Sequence, residues 1–137
     1  MLLPSEIESK AIIPAIRAIL ALKLIERYGM SECDIAKAIG ITQAAVSNYA
    51  RCTRGNRKVM EKLLSTREVM DIVEDIAADL SQSRIFTPNA MLRFTEICNL
   101  IRSTLVICDI HHDIESDFDN TVCDECKVNM LNAKSVR

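Results

Sequence analysis

The side chains best equipped for chemistry in this 137-residue sequence are its six cysteines and two histidines. Four of the cysteines fall late, in the pattern Cys98-x9-Cys108-x2-His111-His112-x10-Cys123-x2-Cys126. Thiolates and imidazoles are ligands of borderline and soft metals, and in a reducing compartment such clustering suggests a metal before it suggests disulfides. Two ligand sets compete. Cys108, His111, Cys123 and Cys126 form two knuckles suited to a tetrahedral structural zinc. Cys98, Cys108, Cys123 and Cys126 offer four thiolates to an iron–sulfur cluster, which tolerates irregular spacing. Cys98 has a structural reading as well, a buried position beside Phe94 and Ile101 on a helix. Cys33 and Cys52 read as packing residues, and His112 is expected to face solvent. The run Asp113, Glu115, Asp117, Asp119 alternates like a calcium loop but lacks the turn glycine and the distal bidentate glutamate, so it reads as a solvated acidic loop.

A second set suits recognition rather than ligation. Thr42, Gln43 and Ala44 open a short segment that continues through Ser47, Asn48 and Arg51. Glutamine pairs in a bidentate way with adenine, and alanine can touch a thymine methyl. Arg51, Arg54, Arg57 and Lys58 would meet phosphates. The partner this chemistry implies is double-stranded DNA.

The recognition helix of a helix-turn-helix presents its N-terminal residues to base edges, and residues 32–51 meet the demands of that motif. Ala36 is small enough for close helix contact, Gly40 can take positive φ in the turn, and Ile35, Ile39, Ile41, Val46 and Tyr49 supply a small core. Ser31 and Thr42 stand where the two N-caps belong. Upstream, residues 11–28 read as a helix with Ile12, Ile16, Ile19, Leu20, Leu24 and Tyr28 at helical spacing, Pro14 in its first turn and Gly29 at its end. Residues 1–10 read as a polar lead-in and Thr53–Lys58 as a basic loop. Downstream, Ser65 and Glu68 have capping-box spacing ahead of a stripe of Val69, Ile72, Val73, Ile76 and Leu80 over residues 66–80. Another helix begins at Thr87-Pro88, with Met91, Phe94, Ile97, Cys98 and Ile101 on one face. Beyond about residue 104 the pattern becomes irregular and acidic.

Aromatic residues make up 4% of the chain, with three glycines and three prolines, a balance that favours helices over sheet. The net charge of −2 hides an asymmetry: residues 1–64 carry ten Lys/Arg against six Asp/Glu, residues 65–137 seven against thirteen. A basic N-terminal half can bind a polyanion within a mildly acidic protein. No apolar run approaches the roughly 18 residues of a membrane span, and no secretory leader is visible. The chain reads as cytoplasmic, with no membrane partner.

The segment PAIRAILALKLIERYGMSECDIAKAIGITQAAVSNYARCTRG resembles the N-terminal domain of archaeal XRE-type (phage-repressor-like) regulators, which show a PAIRA-like first helix and end the unit with a short K-R-G element. The likeness covers about residues 11–58 and departs from the pattern at Cys52-Thr53-Arg54-Gly55. It implies a homodimeric repressor or activator on a near-palindromic operator. The C-terminal region resembles the Cys-rich tail of some regulators of this group, which implies a metal or iron–sulfur sensor.

The expected architecture is all-α: a helix-turn-helix DNA-binding domain over 1–64, a helical linker or dimerisation region over 65–103, and a Cys/His-rich metal-binding segment over 104–137, with Cys98 a possible contributor. The expected function is sequence-specific transcriptional regulation, responsive to redox state or iron through the distal site. The alternative is a protein-interaction module, an antitoxin or adaptor, with a purely structural zinc. An enzyme is not expected. A thioredoxin-like use of Cys123-x-x-Cys126 would need an adjacent strand, and no strand pattern, catalytic triad or phosphate-binding loop is visible.

Overall fold

Pro14 sets the shape of the N-terminal helix. Lacking an amide hydrogen, it cannot bond the carbonyl four residues back, and its ring crowds that carbonyl. In the computed structural model, which describes residues 1–51, 57–117 and 119–132, the chain upstream widens instead of breaking. Helix α1 (Pro4–Ile7) runs through a π-helical turn (Glu8–Ile12) into α2 (Ile13–Glu26). The Ile13 amide donates to the Glu8 carbonyl, five residues back, as a π turn requires. The expected polar lead-in is therefore mostly helix, and Ile7 is only 1% exposed. The wider turn brings Ile7 and Ile12, five apart, to the same buried side.

Helix α2 buries Ala15, Ile16, Ala18, Ile19, Leu20, Ala21 and Leu24, nearly all round its axis, as suits a central helix. It ends where Gly29 takes φ 62° and the Met30 amide reaches back to the Leu24 carbonyl at 3.0 Å. Tyr28 falls beyond the helix and is exposed.

Around α2 pack α3 (Glu32–Ile39), α4 (Gln43–Ala50), α5 (Arg57–Leu64) and α6 (Arg67–Ser83). Arg57 and Lys58, expected in a basic loop, open α5, whose Val59 and Leu63 are buried one turn apart. The expected capping box ahead of α6 does not form. Ser65 and Thr66 instead donate their hydroxyls to the Lys62 carbonyl, each at 2.8 Å, because α5 ends directly against α6 and leaves its last carbonyls in need of donors. Lys23 of α2 and Arg27, which caps its C-terminus, both pair with Glu74 of α6.

Helix α7 (Pro88–Ser103) starts as expected, with the Thr87 hydroxyl accepting from the Ala90 amide at 3.0 Å. Its buried face is Ala90, Ile97 and Ile101, whereas Met91 is 57% exposed. Arg102 forks onto Glu8, tying α7 to the π turn. The stretch after residue 104 is not irregular. It forms α8 (Val106–Ile114) and α9 (Asn120–Asn132), and α8 adds Ile107, Cys108 and Ile110 to the apolar core. Asp119 starts α9, its carboxylate accepting from the Thr121 amide and its carbonyl from the Cys123 amide. Helix α9 lies against α7 and buries no residue completely. The described residues are helical with no strand among them, and no helix among them is long and apolar enough to cross a membrane.

Candidate functional site

Helices α3 and α4, eight residues each, meet across a turn of three residues. Ser31 caps α3 by accepting from the Asp34 amide, and Thr42 caps α4 by accepting from the Ala45 amide, both at 3.1 Å. Between them Gly40 takes φ 79° and ψ 37°, a left-handed conformation that costs a residue with a Cβ about 1 kcal/mol or more. Ile35, Ala36, Ile39, Val46 and Tyr49 are buried, and Ile41 packs against the same core. This packing holds one side of α4 inward and presents the other.

The presented side carries most of the recognition set. Thr42, Gln43, Ala44 and Arg51 are exposed, as are Arg57 and Lys58 at the start of α5. Arg54 lies outside the described residues, as does Cys52. Asn48 is half-buried. Ser47 is half-buried and turned toward α3, where its hydroxyl donates to the Glu32 carboxylate. Glu32 carries no sequence signal for this role, since the pair spans two helices. Asp34, also on α3, holds Arg84 at 3.0 Å.

The distal thiols divide. Cys108, Cys123 and Cys126 line one cavity of about 150 Å³ with His111 and His112, under the first residues of the chain. Cys98 is not part of its lining. It lies half-buried on α7, where burial first and then the Glu8 carboxylate push its thiol above the ordinary value, Arg102 opposing. Cys108 is 9% exposed, and its thiol is pushed up by burial first, then by its neighbours Cys123 and Cys126. Cys126 also borders a larger open groove between α7 and α9. Cys33, expected to pack, is exposed.

His111 is half-buried, and His112 is exposed, as expected. His111 sits one helical turn before Glu115, and its Nε2 lies 2.9 Å from that carboxylate. Glu115 also accepts from the Leu2 amide at 2.9 Å. That bond and then the one to His111 hold its carboxyl down to about 2. His112 touches a thiol: its Nε2 is 3.5 Å from Cys123 Sγ. Among the described residues, no three His, Cys, Asp or Glu side chains are disposed to hold one metal ion. The three thiols share their cavity with both histidines, and Cys98 stands outside it.

Comparisons with family models, with curated proteins and with solved structures find no match to this chain.

Proposed function

We propose that the chain is a sequence-specific DNA-binding transcriptional regulator of the archaeal XRE type, acting on double-stranded DNA as a homodimer. The observation that carries this reading is the presentation of α4: Thr42, Gln43 and Ala44 stand exposed at its N-terminus while Val46 and Tyr49 anchor its other side. A recognition helix enters the major groove N-terminus first, so these residues would meet base edges. Gln43 would read adenine and Ala44 a thymine methyl. Arg51, Arg57 and Lys58 would then contact phosphates, fixing register without reading sequence. Ser47 would act indirectly in this arrangement, by holding α4 against α3 through Glu32.

Two copies would place their α4 helices in half-sites about 34 Å apart, or a multiple of that, on one face of the duplex. Redox or iron responsiveness would belong to the thiols Cys108, Cys123 and Cys126 that line one cavity on α8 and α9.

The test is selection of a bound duplex from a random pool, followed by titration of variants at several salt concentrations. Gln43→Ala should weaken the selected site by about tenfold or more while sparing unrelated duplexes. Arg57→Ala should weaken all duplexes alike and lower the salt slope by about one. Unchanged binding in both variants would overturn the docking, and an absence of duplex binding at low salt would favour the protein-interaction reading.

A further inference from the structure

We infer that Cys123 and Cys126 form a reversible dithiol–disulfide site, oxidised by a small hydroperoxide at the cavity beneath α8 and α9, where the spacing had suggested a metal. This goes beyond the DNA-binding reading and does not rest on it.

Residues three apart in an α-helix lie on one face, and helix geometry puts their Cα atoms about 5 Å apart. That is inside the range of about 4.4–6.8 Å that a disulfide spans, while the Cβ atoms, about 5–6 Å apart at this spacing, must draw in to roughly 3.5–4.5 Å for the bond to close. Both thiols are half-buried and line the same cavity. The contact of Cys123 Sγ with His112 Nε2 at 3.5 Å holds that sulfur at the cavity's edge, where His112 is exposed. Cys108 lines the same cavity but, at 9% exposed, is the most buried of the three thiols. Closing the bond therefore distorts the turn of α9 that carries both residues, and no fully buried side chain of α9 opposes that distortion. Three thiols line one cavity, and two of them lie on one face of α9, which supplies the pair that sulfur–sulfur chemistry needs.

The step balances in two parts. The Cys123 sulfur attacks one peroxide oxygen. The S–O bond forms as the O–O bond breaks, and the departing oxygen leaves as alcohol or water with the thiol's proton. Cys126 sulfur then attacks the Cys123 sulfenic acid. The S–S bond forms, the S–O bond breaks, and hydroxide leaves as water with the second proton. Two thiols have lost two electrons and the hydroperoxide has gained them.

The experiment uses the whole chain, reduced and then treated with limiting hydrogen peroxide. Remaining thiols are blocked with N-ethylmaleimide, and the protein is read by intact mass and peptide mapping. The expected product is lighter by two hydrogens, carries a Cys123–Cys126 link within one peptide, and returns to the dithiol on reduction. Cys126→Ser should leave a Cys123 sulfenic acid that dimedone traps, and Cys108→Ser should leave the link intact. A mapped link through Cys108, Cys98 or Cys33 would overturn the inference. So would one tightly held zinc or iron per chain that protects these thiols from the blocking reagent. The wild-type map needs no variant to fold and no DNA, so its failure is distinct from failure of the DNA-binding reading.

Discussion

Replacing Ser47 by alanine asks whether this side chain serves the α3–α4 contact or meets DNA directly. Its hydroxyl donates to Glu32, and both residues are half-buried. A hydrogen bond to a charged acceptor contributes about 1.5–3 kcal/mol net. Water can reach part of the Glu32 carboxylate left behind, so the expected cost of Ser47→Ala is nearer about 1 kcal/mol. For a chain of this size that lowers Tm by roughly 3–5 °C. Urea unfolding of Ser47→Ala, Glu32→Ala and the double variant gives a cycle whose coupling should also be about 1 kcal/mol. Duplex affinity of the folded Ser47→Ala protein should fall less than about threefold, well short of the loss from removing a base contact. Unchanged stability together with a large loss of affinity would show that Ser47 points at DNA, and would refute this account of how α4 is held.

Two further substitutions probe the frame around the site. Gly40→Ala meets no atom within 4 Å of the added Cβ, so its cost is the left-handed backbone alone, about 1 kcal/mol by urea unfolding; a loss several times larger would mean that the turn is crowded. Glu74 is held below the ordinary carboxylate value by the hydrogen bond from Lys23 first and then by the Lys23 and Arg27 charges, with burial opposing. A depressed folded value means stability that is present above the ordinary carboxylate range and is lost as pH falls through the folded value. Glu74→Gln should therefore cost about 1 kcal/mol or less at neutral pH, and stability measured down a pH series should show the difference vanishing in acid.

What was legible in the sequence follows from how local each determinant is. Ser31, Thr42 and Thr87 cap their helices by accepting from an amide three residues on, so residue type and spacing were enough. Gly40 needed only its own freedom of φ. Ser65 with Glu68 had equally good spacing, but the carbonyls ending α5 claimed the Ser65 and Thr66 hydroxyls, and that competitor came from a helix not foreseen. Helix α5 was hidden because its first turn is basic and only Val59 and Leu63 show the period. The N-terminal helix was hidden for another reason. The π turn forced upstream of Pro14 shifts the phase, so that Ile7 and Ile12 fall outside a 3.6-residue repeat.

The candidate sites divide along the same line. Exposure of Thr42, Gln43 and Ala44 follows from a cap and one buried face, both local. The Glu32–Ser47 pair joins two helices, and no spacing rule announces it. Among the distal residues, Cys108 and His111 line one cavity, and His111 Nε2 also lies 2.9 Å from the carboxylate of Glu115 just past the end of α8, a partner that the Cys-x-x-His spacing does not announce. A four-ligand centre would require α8 and α9, or those two with α7, to bring side chains to a single point, and that is a non-local condition. Cys123 and Cys126 share a face through the period of α9 alone. A chemistry that needs only those two sulfurs therefore asks the least of the fold.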